Sequence, residues 1–323
     1  MDDHKSNWFV GAYALTASLD EFSLKMAESF YRELATFPSI RGLELPIHVD
    51  DKIDDPWRHL HLLPQHFDYV LTPLPGVMQS LVQRSDFGLA SCVEAGRHAA
   101  LAFMECVRDQ VAKLNEHCQR NAVRLVELHS APTRHHAASQ DCREALRASL
   151  DTLLGWDWCG AQLCIEHCDT FVAGLAPAKG FLDLQSEIAA LKGLGVGVNI
   201  NWARSVLEGR RVEHVHEQLR QLVDLDLLRG LFFSGITVDD PIYGSWLDNH
   251  APMQLPEANL WSPRGSLLTR EEVLRCIALT AHQEIILGLK VQAAPKSLSL
   301  AERLNCLQLH LRELNTHRSG QCD

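Results

Sequence analysis

What this chain lacks narrows it first. None of its ten cysteines forms a Cys-x-x-Cys pair, so neither a zinc ribbon nor a thioredoxin-like redox motif is written into it. The N-terminus, Met-Asp-Asp-His-Lys-Ser-Asn, has no apolar signal region, and no apolar run reaches the ~18 residues of a membrane span. The thiols therefore read as reduced and the protein as cytoplasmic, with no membrane partner. Basic residues are in the minority: the net charge is -11, which argues against a nucleic-acid partner because no basic stripe is available. No Gly-x-Gly-x-x-Gly follows the first apolar run, so no nucleotide cofactor is expected.

What is present is an alternation. Apolar residues make up 46% of 323, enough for a large core, and α/β barrels use this length as one domain. Short apolar runs recur as strand candidates: Trp8 to Thr16, Ile40 to Val49, Phe67 to Leu74, Val123 to His129, Gly160 to His167, Leu194 to Asn201, Gly230 to Gly235 and Glu284 to Val291. Stretches of helical period fall between them, among them Asp20 to Phe37, Ser91 to His117, Ser139 to Leu154, Asp183 to Leu194 and Val212 to Leu228. Thr269-x-x-Glu272 and Ser299-x-x-Glu302 are capping-box signatures for the last two helices. Eight strands alternating with helices predict an α/β fold, a single (β/α)8 TIM barrel over 1–323.

In such a barrel the C-terminal strand ends share one basin, where the chemistry sits. The period of two places Glu166 with Cys164 and Cys168 on one face and His167 on the other; the two thiols read as buried small hydrophobes. The residues expected at the basin are Tyr13, Glu44, Thr72, Glu127, His129, Glu166 with His167 and Asp169, Asn199, Asn201, Ser234 and Lys290, although His167 has the outward parity if its strand persists. Acids above apolar layers must pair, bind a metal or hold a substrate. The segment 236–268 after the seventh strand is too long for a plain turn and carries Trp246, Asp248 and His250, so an ordered lid is expected. Trp202 and Arg204, just past the sixth strand, would supply an aromatic wall and a group for an anion. Arg134, His135 and His136 read as a solvated turn, and His214 and His216 as helix-surface residues.

Five motifs carry a resemblance: Val-Glu-Leu-His-Ser-Ala-Pro (126–132), Ile-Glu-His-Cys-Asp (165–169), Lys-Gly-Phe-Leu (179–182), Asn-Trp-Ala-Arg-Ser (201–205) and Trp-Leu-Asp-Asn-His (246–250). Together they resemble an uncharacterised bacterial family of the xylose-isomerase-like TIM barrel superfamily, from about Tyr13 to Lys290. That superfamily includes sugar isomerases, sugar epimerases and a DNA-repair endonuclease. Its enzymes hold divalent metals through an acid after strand five, an Asp or similar after strand six, a His, Asp or Gln near strand seven and a Glu after strand eight. Glu166 matches the first position, but Asn201, Ser234 and Lys290 stand at the others. Two lost anions and a gained cation weaken a site for a hard metal. The remaining candidates for Mn, Mg, Zn or Fe are Glu127, His129, Glu166 and His250.

The resemblance implies a sugar or sugar-derivative isomerase or epimerase. Glu127 or Glu166 would take a proton next to a carbonyl, the other or His129 would return it, and Lys290 or a metal would steady the enediolate. Tyr13, Glu44, Asn199, Asn201, Trp202, Arg204, Trp246, Asp248 and His250 would bind the carbohydrate-like substrate. Two alternatives stand beside this: a lyase forming a Schiff base on Lys290, and a sugar-binding barrel without catalysis.

Overall fold

Eight parallel strands close into a barrel in chain order, each hydrogen-bonded to the next and the eighth to the first. The structure, a computed structural model, describes residues 8–17, 19, 22–49, 56–135, 139–255 and 261–315. The N-terminal residues, positions 256–260 of the long loop and the polar tail lie outside it. The elements run β1 Trp8–Val10, α1 Tyr13–Thr16, α2 Leu24–Leu34, β2 Ile40–Pro46, a 3₁₀ helix Pro56–Leu62, β3 Asp68–Thr72, α3 Leu74–Gln83, α4 Glu94–Cys118 and β4 Val123–Leu128. They continue as α5 Gln140–Leu154, β5 Gln162–His167, α6 Leu184–Leu191, β6 Gly197–Asn201, α7 Trp202–Gly209, α8 Glu213–Asp224, β7 Leu228–Phe233, α9 Arg270–Leu279, β8 Ile286–Leu289 and α10 Leu300–Asn315.

Side-chain alternation separates two cores. Phe9, Val70, Leu125, Cys164 and Phe232 point inward and pack as one apolar layer inside the barrel. Their neighbours in sequence point outward into the larger core between sheet and helices. Glu44, Glu127, Glu166 and Asn199 each follow the inward phase one step further along their strands. The register sets Glu166 opposite Asn199, while Glu127 lies opposite Cys164, one inward step before Glu166. Gly288 is required here, because a Cβ on it would lie 2.1 Å from the Phe232 ring.

Three short helices depart from the sequence expectation. The apolar run Trp8 to Thr16 is a strand only to Val10, then turns into α1; a run without polar residues has no period to tell strand from buried helix. Pro75-Gly76, a dipeptide that by itself signals a turn, lies instead in the first turn of α3, where proline is tolerated. α7 begins directly at Trp202, with Asn201 as its N-cap and no intervening loop. One capping box forms in full, Ser299 and Glu302 bonding reciprocally, while Thr269 accepts from the Glu272 amide and the Glu272 carboxylate turns to His216 and Arg275.

Outside the barrel lies a second polar cluster. His167, facing outward from β5, bonds Glu187 at 2.7 Å and Glu208 at 3.1 Å, and Glu187 also accepts from Ser130 at 2.5 Å. Burial pushes His167 down, but the two carboxylates outweigh it and hold the imidazole well above its ordinary value. For Glu208, burial is outweighed by His167 and His214, bringing it to about 2. His216 is buried against Glu272 at 2.8 Å instead of lying on a helix surface. Arg134 is also buried, bonding the Ala90 carbonyl, while His135 beside it is exposed; His136 lies outside the described residues.

His167→Gln leaves two buried carboxylates without their cation and is expected to cost about 3–5 kcal/mol. A raised folded pKa contributes stability that is complete below the unfolded value and lost as pH rises through the folded one. The deficit of the variant, measured by urea unfolding at about pH 6 and about pH 9, should therefore shrink at the higher pH. A deficit that grows would contradict the assignment.

Candidate active site

The inward residues above the apolar layer converge on one ionic network. Lys290, just past β8, places its ammonium 2.6 Å from Glu44 Oε1 and 3.2 Å from Glu166 Oε1. The Arg204 guanidinium, from the first turn of α7, reaches Glu166 Oε1 at 2.6 Å. His129 Nε2 lies 2.9 Å from Glu166 Oε2. Glu44 Oε2 accepts from the Tyr13 hydroxyl at 3.1 Å. Glu44, Glu127, Glu166 and Lys290 are all fully buried. The chain passes this close only because Gly11 has no side chain; a Cβ there would lie 2.9 Å from both Glu44 Oε2 and Lys290 Cγ.

The acids are driven apart electrostatically. At Glu166 burial raises the pKa, but Arg204, Lys290 and His129 outweigh it and hold the carboxyl well below its ordinary range. Glu127 has no cation in contact among the described residues: burial, with the nearby charges of Glu166 and Glu44, pushes it well above. It accepts a hydrogen bond from Asn199 Nδ2 through Oε1. With only the Thr72 hydroxyl near as another donor, its Oε2 has no well-formed hydrogen bond among the described residues. Burial raises Glu44 as well, against the pull of Lys290. His129 is lowered by burial, so a neutral ring donates from Nε2 to Glu166 and leaves the Nδ1 lone pair unused.

Above the network sits the long segment. Asp248 pairs with Lys179 at 3.0 Å and with Arg204 at 3.1 Å. Arg204 thus joins a barrel acid to the loop over it, and is buried instead of lying on the surface. His250 lies beside Asp248 and packs edge-on to Tyr13, ring centroids 6.4 Å apart; burial lowers it to about 3. The described parts of 236–268 are ordered by their own bonds: Asp240 caps the Ile242, Tyr243 and Arg264 amides. His310 of α10 accepts from the Met253 amide.

Most of the basin expected from sequence is therefore assembled. Tyr13 reaches it from α1 and not from a strand end. Asn201 and Ser234 bond each other at 3.1 Å. Trp202 is not brought in: it has the opposite parity to Asn201 and is buried in the outer core beside the Cys276 thiol. Trp246 lies at the rim, under the Arg210 guanidinium at 4.7 Å. It lines an open cleft of about 760 Å³ with Leu175, Pro177, Leu207 and Asp248. The sequence pattern does not single out Lys179 as a site residue, and Cys168, which with Cys164 flanks Glu166 and could ligate a metal, reads first as a buried small hydrophobe. Cys168 Sγ lies 3.7 Å from Arg204, and Lys179 stands in one of the resemblance motifs, the signal that pointed to it. Asp169 faces away to cap the Ala178 and Lys179 amides.

Among the described residues three groups could hold a metal on spacing alone: one, His216, Glu272 and Cys276, lies between α8 and α9, and two lie at this site. The ligand atoms of Glu44, Glu127 and Glu166 lie within 4.8 Å of one another, as do those of His129, Glu166 and Cys168. His250 belongs to neither. The donors at the superfamily's metal positions do not fit a divalent ion. Both Glu166 oxygens are committed to Lys290, Arg204 and His129, Asn201 Oδ1 is taken by Ser234, and Lys290 is itself a cation. A dication would face two fixed positive charges on its one strong ligand. Lys290 is equally unsuited to a Schiff base. Burial lowers its pKa, but Glu166 and Glu44 outweigh that and keep it protonated, well above its ordinary value.

Lys290→Met should destabilise the protein by about 3–5 kcal/mol, since it strands buried carboxylates. Adding Glu44→Gln should recover part of that loss in a double-mutant cycle read by urea denaturation. Additive effects would mean that the 2.6 Å contact carries no coupling.

Comparison with known proteins agrees with this architecture. The family model described as Domain of unknown function (DUF4862) matches residues 9–306. An uncharacterised protein of Salmonella typhimurium is 31% identical over 308 residues, covering 94% of this chain and 96% of the relative. Among solved structures, the IolI protein with a bound zinc atom superposes with a TM-score of 0.62 at 12% identity, covering 96% of this chain and 99% of the other. A xylose isomerase domain protein from Alicyclobacillus acidocaldarius gives 0.54 at 15% identity, over 96% and 98%. At such identities the two structures speak to fold alone. The chain belongs to the DUF4862 family, and its barrel is of the xylose-isomerase-like kind.

Proposed function

We propose that this protein is an isomerase or epimerase of a small carbohydrate-like substrate, working by proton transfer next to a carbonyl without a metal in the step. The observation that carries the reading is Glu127: a fully buried carboxyl with a raised pKa and an oxygen lacking a well-formed hydrogen bond. A carboxyl raised by burial holds a proton more readily than an ordinary one and can pass it to a substrate. Such a group, left under-satisfied at a strand end, is costly to keep unless a ligand completes it.

The roles divide by electrostatics. Glu127 carries the proton. His129, two residues on along the same side of the chain, is a neutral imidazole with a spare lone pair and serves as the second carrier. Glu166 is too strongly held as an anion to be a good base; it orients His129 and anchors the two cations. The Lys290 ammonium, the group superfamily members replace with an acid and a metal, steadies negative charge developing on the substrate oxygen. Tyr13, Glu44 and Asn199 offer hydrogen bonds to hydroxyls, and Arg204 with Lys179 offers an anchor for an acidic group. The described residues of the long segment, 236–255 and 261–268, act as the lid, with Asp248 as its latch. The carbohydrate-like substrate is part of the proposal, taken by analogy of fold with a xylose isomerase domain protein.

The test is exchange. A panel of aldoses, ketoses and sugar acids, incubated with the protein in D₂O, should include one that gains deuterium at the carbon next to its carbonyl. Glu127→Gln should slow that exchange by about 10²–10⁴-fold while calorimetry shows the sugar still bound. Binding without exchange in the wild-type protein would sink the enzyme and leave a sugar-binding barrel.

A further inference from the structure

Between the segments that lead into α4 and α5, two thiols face each other. Cys92 lies in the segment leading into α4 and is exposed; Cys142 lies in the first turn of α5 and is buried. Their sulfurs are 3.0 Å apart, although 50 residues separate them in sequence. Around the Cys142 sulfur stand the Arg134 guanidinium at 3.0 Å and the hydroxyl of Ser139, the N-cap of α5, at 3.2 Å. Arg134 is fixed by a second bond, to the Ala90 carbonyl at 2.9 Å. Nothing in the proposed isomerase chemistry uses this cluster.

We infer that Cys142 and Cys92 are a redox-modification site, in which the Cys142 sulfur reduces a hydroperoxide and Cys92 then closes the pair into a disulfide. The fixed guanidinium, the hydroxyl and the helix N-terminus all favour an anionic sulfur at Cys142. Burial pushes that thiol up, but its bonds to Ser139 and Cys92 and the Arg134 charge outweigh it, so Cys142 is lowered. Cys92, raised by burial and by its neighbour, keeps its proton. One sulfur is thus prepared as nucleophile and the other as the partner that resolves it.

The chemistry balances with hydrogen peroxide as the oxidant. The Cys142 thiolate attacks one peroxide oxygen; an S–O bond forms, the O–O bond breaks, and hydroxide leaves. Cys92 gives its proton to that hydroxide, making water. The Cys92 thiolate attacks the sulfenic sulfur, forming the S–S bond and expelling a second hydroxide, which solvent protonates. Two thiols are oxidised by two electrons in all, and one peroxide becomes two waters. The other two exposed or half-exposed thiols, Cys106 and Cys159, are not paired with a sulfur within the described contacts, which makes Cys106 an internal reference.

The experiment is a peptide map of the full chain after one equivalent of hydrogen peroxide, alkylated without reduction. The expected product is a Cys92–Cys142 cross-linked peptide, formed at least about tenfold faster than any change at Cys106, because thiolate character sets the rate. Cys92→Ser should halt at a sulfenate that dimedone traps on Cys142. Arg134→Gln should slow the reaction by about threefold, the loss of thiolate being partly repaid by greater nucleophilicity. If the wild-type pair stays alkylatable, or oxidises no faster than Cys106, the inference fails, whether or not the variants fold. Dimedone on Cys92 in Cys142→Ser, with none on Cys142 in Cys92→Ser, would overturn the order of attack.

Discussion

Everything at the mouth of this barrel follows from what it takes to bury Glu166. A carboxylate with no exposure loses several kcal/mol of hydration even after relaxation. Two unit charges near 3 Å attract by about 5 kcal/mol at an effective dielectric constant of about 20, so Lys290 and Arg204 together can offset the loss. Once both cations are committed to Glu166, little positive charge is left for Glu127, which sits higher in its pKa range as a result. The division of labour between the two acids is therefore a consequence of where the cations are spent. The same arrangement explains why a metal is poorly accommodated: the protein has already supplied its own cations.

Much of this was legible from alternation alone. A period of two puts Glu44, Glu127, Glu166, Asn199 and Lys290 on the inside of a closed sheet, and the sheet brings them together. It also puts His167 outside, where it is found between Glu187 and Glu208. Those two partners were not legible, since a helix residue reveals its face but not which strand it will cover. Tyr13 was expected at the basin for an incorrect reason: it arrives from a helix, and the all-apolar stretch around it has no period to read. Trp202 failed for a related reason. Helix α7 begins without a loop, so parity still governs its first residue and sends the indole outward, while Arg204 two positions later turns back over Glu166.

The outer residues show where local pattern stops. His216 and Arg134 look like solvated surface in a sequence window, yet each is buried by a distant segment, His216 by Glu272 and Arg134 by the Ala90 carbonyl and Cys142. The facing thiols at Cys92 and Cys142 belong to the same class: their meeting depends on how the segments before α4 and α5 come together, and spacing along the chain says nothing of it.

Arg204 binds the barrel below through Glu166 and the loop above through Asp248, with Lys179 on the same carboxylate. Were residues 246–250 to swing away as a lid, they would take an anion with them and leave both cations behind. The entrance would then become more positive, in a protein whose overall charge is strongly negative. An open barrel would draw anionic molecules inward over several ångströms and a shut one would not, so ionic strength would bear on how fast ligands arrive more than on what happens to them afterwards.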